Sequence, residues 1–216
     1  MNLVGLYLLV GGYLLGSIPV GYLIGRSYGI DIRTKGSGNI GAANILRVIG
    51  KGPAAATLLL DAVKGFLPTI LARQACLLPP GWIIAIGLAA IIGHTFSIFL
   101  KFKGGKGVAT SLGVLIGLSP LTALLVLLVW LAGFAASRIV SFASLAAALS
   151  LPPLLWYLAN RQPAFLAFGV LIAVLVFLAH RKNIKRLLSG QEPKVKWTPP
   201  SPSPTGGEGK RRGKDD

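Results

Sequence analysis

Seven apolar stretches, at about residues 3–25, 53–74, 82–100, 107–119, 120–137, 141–158 and 164–180, follow one another with short gaps between them. This succession constrains the chain more than any other feature. A backbone surrounded by hydrocarbon finds no water for its N–H and C=O groups, so only helices and closed barrels cross a bilayer. Apolar runs of about 20 residues read as membrane-spanning helices. The remaining composition agrees: 53% of residues are hydrophobic, 13% are charged and the mean hydropathy is +0.70, far from a soluble domain of this length. The first stretch has no basic residue ahead of it and exceeds the 7 to 15 or so residues of a signal-peptide core, so it is expected to stay in the membrane.

A formal charge of +16 would point to nucleic acid in a soluble protein. Here the lysines and arginines crowd the gaps between apolar stretches and the C-terminal tail, which is the positive-inside pattern and excludes nucleic acid as the expected partner. Arg26, Arg33 and Lys35 follow the first stretch, which places the N-terminus outside and residues 26–52 in the cytosol. Two arrangements of residues 107–137 are open. Either the 12 or so residues before Ser119-Pro120 form a short helix or part of a re-entrant pair, or one helix runs through with a kink at Pro120. Charge separates them: six spans would turn the basic run Arg181 to Arg186 outward, whereas seven keep it in the cytosol. The expected fold is therefore an all-α integral membrane protein with seven transmembrane helices, N-terminus outside and C-terminus cytosolic, with a short interfacial helix in the first cytosolic loop. Residues 1–190 form one membrane domain. Residues 191–216 are a basic, Pro/Gly/Ser-rich tail, expected to be disordered beyond Trp197.

Three cytosolic stretches hold most of the chemistry. Lys103 to Ser111 reads KGGKGVATS, with Gly104, Gly105 and Gly107 between lysines, directly before a helical run. Glycines let backbone N–H groups approach an anion, a helix start presents unpaired donors, and Lys103 and Lys106 add charge. Thr110 and Ser111 lie one turn into that helix. No GxxxxGK[ST] pattern is present, so nucleotide hydrolysis is not implied. The second stretch, Gly29 to Gly52, contains Gly36-Ser37-Gly38-Asn39 and then Ile40, Ala43, Asn44 and Arg47 at helical spacing. Ser37 or Asn39 caps a short helix in one reading. In the other, Ser37, Asn44 and Arg47 face one anionic ligand, with Arg47 as a two-pronged clamp. The third stretch, His180 to Arg186 with Glu192 beyond, is a membrane anchor in one reading; His180 and Asn183, three apart, add a polar pair that an anchor does not require.

Within the apolar stretches, Asp61 and Lys64 share a helical face roughly 13 to 18 Å from the cytosolic end. Charges at that depth are rare, and a structural pair and a substrate contact are both open. His94, seven residues before Lys101, favours a hydrogen-bonding core role. Cys76 is the single cysteine and matches no metal-ligand spacing. No metal and no cofactor are expected.

Five segments in fixed order, GSGNIGAANILRVIGK, LLLDAVKG, GHTFSIFLKFKGGKGVATSLG, RIVSFASL and HRKNIKRLLSGQE, closely resemble the bacterial acyl-phosphate:glycerol-3-phosphate acyltransferase family, often called PlsY. The resemblance covers residues 1–196. It implies a seven-span enzyme of the bacterial inner or plasma membrane that moves an acyl chain from acyl phosphate to the first hydroxyl of glycerol 3-phosphate, giving lysophosphatidic acid and phosphate. The family's first-motif serine and arginine fall on Ser37 and Arg47, its glycine-rich loop on Lys103 to Gly107, and its third-motif histidine, asparagine and glutamate on His180, Asn183 and Glu192. Lys182 stands where many members carry an acidic residue.

An acyl phosphate is a mixed anhydride with a good leaving group, so no covalent nucleophile is required and positioning suffices. The expected catalytic set is Ser37, Arg47, Lys106, His180 and Asn183. Expected substrate contacts are Asn39, Asn44, Lys103, Gly104, Gly105, Gly107, Thr110, Asp61, Lys64 and Glu192. The implied partners are acyl phosphate, glycerol 3-phosphate and membrane lipid; contact with a cytosolic acyl-phosphate-producing enzyme stays open. A transporter for an organic phosphate is the main rival, and the crowding of charge on one side counts against it.

Overall fold

Helices account for nearly the whole of the computed structural model, which describes residues 2–75, 78–159 and 161–195. Ten α-helices follow in order: α1 Leu3–Ser17, α2 Val20–Ser27, α3 Ala42–Val48, α4 Lys51–Gln74, α5 Pro80–Thr95, α6 Val108–Leu118, α7 Pro120–Ser137, α8 Val140–Leu158, α9 Pro163–Ala179 and α10 Arg181–Leu188. Among the described residues, five segments are long and apolar enough to cross a membrane, with α1 and α2 counted together, and the bent pair α9–α10 makes a sixth. Leucines and valines along α1, α4, α7 and α9 remain exposed, as expected of faces turned to lipid. Cys76 and the tail from residue 196 lie outside the described residues.

The first apolar stretch is not one continuous helix. Pro19 has no N–H to donate and holds Ile18 at φ −57°, ψ 117°, so the helix stops and restarts at Val20. Side chains from elsewhere in the fold donate to the carbonyls at this break: Lys64 Nζ of α4 to Ile18 O at 2.8 Å, beside Val20 N–H at 3.0 Å, and Ser97 Oγ of the segment after α5 to Ser17 O at 2.5 Å.

Residues 107–137 form two helices, separated at Ser119 (φ −151°, ψ 87°), and Pro120 opens the second. At 1.5 Å per residue the 11 residues of α6 span only about 16 Å. The reason that length serves lies in where α6 begins. Its first turn meets α4 partway along, with the carbonyl of Thr110 against Gly65, roughly 20 Å from Lys51. Its last turn meets the end of α4, where Arg73 Nη1 donates to Gly117 O at 3.2 Å. The glycine segment ahead of α6 is thus sunk among the helices.

Small residues make this close approach feasible. A methyl on Gly113 would collide with the carbonyl of Ala62, and one on Gly65 with that of Thr110. The same device joins α1 to α5, through Gly16 against Ala90 and Gly93 against Tyr13. A hydrophobic core that includes Ile91, Val114, Leu115, Ala147, Leu151 and Ile172 binds α5, α6, α8 and α9. Gly113→Ala is expected to destabilise the fold by about 1–3 kcal/mol through overpacking. Gly52→Ala, in the first turn of α4 with nothing within 4 Å, is expected to hold or slightly raise the thermal unfolding midpoint in detergent.

Candidate functional site

The loop after α2 is organised by one buried amide. Asn44, on α3 and 2% exposed, donates from Nδ2 to the carbonyls of Asn39 (2.9 Å), Lys35 (3.1 Å) and Ile32 (3.2 Å) and accepts from the N–H of Ser37 at 2.8 Å. Its polar atoms face the protein, so the expectation that Asn44 touches substrate is corrected: it shapes the Ser37 loop from inside. The capping alternative for Ser37 is also corrected. Helix α3 starts at Gly41 without a side-chain cap, and Asn39 Oδ1 accepts from Gly41 N–H at 2.9 Å. The Ser37 and Arg47 side chains are exposed. Asp31, held down to about pKa 2 by its hydrogen bond from Arg33, anchors that guanidinium at 2.6 Å while it stacks 4.5 Å from the Tyr22 ring.

Buried Leu100 packs into the core of this loop, beside Ile32, Ile40 and Ile45. That contact brings the glycine segment to the same end of the bundle. Here a second expectation is corrected. The N–H of Gly104 donates to Thr95 O and that of Gly105 to His94 O, each at 3.0 Å, so neither is available to an anion. The N–H groups without an acceptor among the described residues begin at Lys106 and Gly107, where Gly107 adopts a left-handed φ of +77° and starts α6. Thr110 is fully buried against α4 rather than facing the loop surface. Lys103 points elsewhere, into a hollow of about 280 Å³ lined with Arg33, Phe99, Leu100 and Lys101.

Lys106 joins the glycine segment to the last helices. Its Nζ donates to Asn183 Oδ1 at 2.6 Å, Asn183 Nδ2 donates to Glu192 Oε1 at 2.5 Å, and Ser141 Oγ reaches the same oxygen at 2.7 Å. Arg186 Nε donates to Glu192 Oε2 at 2.6 Å. Both Glu192 oxygens accept hydrogen bonds from the protein, so Glu192, expected as a substrate contact, is a support of Asn183 in this structure. Burial raises its pKa, but the hydrogen bonds from Arg186, Asn183 and Ser141 outweigh this and hold the carboxyl below its usual range. The segment 191–195, placed in the tail from sequence, is bound to the body, since Val195 N–H also donates to Arg138 O at 2.9 Å.

Burial lowers the Lys106 ammonium to about pKa 8; Glu192 opposes the shift, while the charges of Arg186 and Arg47 add to it. The field of Arg47 at Lys106 brings those two predicted cations into one neighbourhood. His180, 2% exposed, is lowered to about pKa 4 by burial and by Lys106. It is therefore neutral at ordinary pH. Its Nδ1 lies 2.8 Å from Val176 O, and a neutral ring there must donate, which leaves Nε2 as an acceptor.

Asp61 and Lys64 are 3% and 4% exposed. Lys64 Nζ is 2.8 Å from Asp61 Oδ1, His94 Nδ1 is 3.5 Å from that same oxygen, and Lys64 also binds Ile18 O. Their partners are the protein's own groups, which corrects the expectation of substrate contact in favour of the structural pair.

Comparison with known proteins decides what this cationic end belongs to. The family model described as glycerol-3-phosphate acyltransferase matches residues 6–190. The chain belongs to the glycerol-3-phosphate acyltransferase family. The family's enzyme from Synechococcus sp. (strain JA-3-3Ab) is 51% identical over 191 residues, covering 87% of this chain and 93% of that protein. That from Geotalea daltonii is 48% identical over 185 residues, 86% of this chain and 94% of the relative. Among solved structures, PlsY (YgiH), an integral membrane glycerol 3-phosphate acyltransferase, superimposes in its glycerol 3-phosphate form with a TM-score of 0.85 at 40% identity. Its lysophosphatidic acid form gives 0.82; each comparison covers 89% of this chain and 96% of the other. The chain is thus a membrane acyltransferase of this family.

Reading the sequence alone overlooked Ser141 and Arg186 as supports of Glu192. A serine opening a helix and an arginine in a basic run carry no distinguishing pattern; only the return of residue 192 to α8 and α10 gives them a partner. Asn44→Ala is expected to lower acyltransferase activity about tenfold and stability by about 1–3 kcal/mol, read from turnover and thermal unfolding. For Lys106, the depressed pKa means the charge is present below about pH 8 and lost above it. The KM for glycerol 3-phosphate is therefore expected to rise as pH passes through about 8, and Lys106→Arg, charged throughout, is expected to lack that limb.

Proposed function

We propose that this chain transfers an acyl group from acyl phosphate to the sn-1 hydroxyl of glycerol 3-phosphate, releasing lysophosphatidic acid and inorganic phosphate, with its site on the cytosolic face of a bacterial plasma membrane. The observation that carries the reading is the half-buried Lys106–Asn183 contact, 2.6 Å long and within the field of Arg47. It supplies cations and an amide where two phosphates would meet. The titles of the PlsY structures name glycerol 3-phosphate and lysophosphatidic acid, the alcohol substrate and acylated product of such a reaction.

In the proposed step the glycerol hydroxyl oxygen attacks the acyl carbonyl carbon, a C–O bond forms, and the anhydride C–O bond breaks with its electron pair leaving on phosphate. Lys106, Arg47 and the free N–H groups from Lys106 onward hold the phosphates against their mutual repulsion. Asn183, pinned by Glu192, is fixed in orientation. Ser37 and His180 Nε2 orient the hydroxyl. With His180 at about pKa 4, a substrate phosphate oxygen is the stronger base for the departing proton. Glycines 104, 105 and 107 allow the close packing and turn that present Lys106.

The proposed topology has seven spans, with short α6 as one of them, the N-terminus outside and the C-terminus cytosolic. The concentration of Arg26, Arg33, Lys35, Arg47, Lys101, Lys103, Lys106 and Arg138 at one end supports it. Residues 1–190 would form the membrane domain, and the basic tail is a proposed contact for a cytosolic enzyme that makes acyl phosphate.

The test is acyl transfer by purified protein in lipid. Wild type is expected to use acyl phosphate, and Lys106→Ala to lose on the order of 10²-fold or more in kcat/KM. Substantial activity in both Ser37→Ala and Arg47→Ala would remove the assigned roles, and use of acyl thioesters in place of acyl phosphate would overturn the donor.

A further inference from the structure

Beneath the glycine segment lies a buried cluster of titratable side chains. Asp61 comes from α4 and His94 from α5, and Lys64 ties both to the break between α1 and α2. The side chains of all three are 4% exposed. Charges at such depth are rare and costly to desolvate, and they are found where they are paired or have a task.

The imidazole of His94 bridges this cluster to the loop. One ring nitrogen, Nδ1, faces Asp61 at 3.5 Å. The other, Nε2, abuts Gly105 so closely that a methyl there would collide with it, and the carbonyl of His94 would collide with a methyl on Gly104. Neither glycine has a positive φ, so both are required for contact and not for an unusual backbone shape. The N–H groups of both are bound to the last turn of α5. On its other side the loop is fixed through α6, whose Gly113 meets Ala62, the residue next to Asp61. Lys106 lies between these two attachments, one residue past Gly105.

We propose that Asp61, Lys64 and His94 are positioning residues that set the height and orientation of the glycine segment, and through it of Lys106, with the His94 ring as the surface on which Gly105 rests. None of the three needs to touch substrate. Asp61 faces one ring nitrogen at 3.5 Å while the other meets Gly105, and Lys64 neutralises Asp61 and adds a second donor to the Ile18 carbonyl. A displacement of about 1 Å in such a support is enough to cost about 100-fold in rate.

The activity readout rests on the proposed acyl transfer, so a second readout independent of turnover accompanies it. Gly105→Ala is expected to lower kcat/KM about 100-fold, because its methyl meets the ring. His94→Ala alone is expected to lower it at least tenfold. The double variant His94→Ala/Gly105→Ala is expected to be no worse than His94→Ala, since the collision is gone. Losses that multiply in the double variant would overturn the proposal, as would full activity in His94→Ala. The second readout is the titration of Lys106, followed by NMR after ¹³C-methylation of the lysines in the full chain, without substrate. Its value is set by burial together with Glu192, Arg186 and Arg47. The expected result is a midpoint near 8 in wild type that moves toward the ordinary lysine value in His94→Ala and in Asp61→Asn. An unmoved midpoint would overturn the positioning role whatever the acyl donor proves to be. If His94→Ala does not fold, His94→Gln paired with Gly105→Ala carries the same comparison, non-additive losses supporting the role and multiplying losses overturning it.

Discussion

The carbonyls released at Pro19 are the demand around which the site end is built. Buried in a bundle with lipid around it, an unpaired carbonyl costs several kcal/mol, so a broken span must draw donors from its neighbours. Ser97 supplies one from the segment after α5 and Lys64 supplies the other from α4. A buried ammonium then requires a carboxylate, which is Asp61, and Asp61 is shared with His94. The floor of the site follows from these obligations before any ligand is considered.

Above that floor the electrostatics are unbalanced by design of the sequence: Lys106, Arg47 and Arg186 approach one another with Glu192 as the carboxylate among them. Glu192 accepts from Ser141, Asn183 and Arg186, and it keeps Asn183 and Arg186 in place. Burial, with the charges of Arg186 and Arg47 adding to it, is what lowers Lys106. An entering phosphate offsets the repulsion among these cations and favours the charged form of Lys106.

Much of this was legible in the chain. The apolar stretches located the helices to within a few residues, as α4, α7 and α8 show, and the helix expected in the first loop is present as α3. The pairing of Lys106 with Asn183, 77 residues apart, joins two stretches that the motifs had marked separately. Less legible were the inward-facing groups. Asn44 and Glu192 are polar residues in functional motifs, and their type alone does not distinguish a side chain that meets substrate from one that meets backbone. The glycines of the loop were read as donors to an anion, whereas two of them are small because His94 lies against them.

The sequence by itself determined that the chain is helical, that it lies in a membrane and that its cations gather at one end, because hydropathy and charge act on each segment locally and add along the chain. Only the tertiary structure decided which polar atoms remain free. That question depends on which donors and acceptors meet across helices distant in sequence, as at Ile18 with Lys64, Ser141 with Glu192 and His94 with Gly105. A buried group bonds to whatever packing places within about 3 Å of it, and no local pattern records that distance.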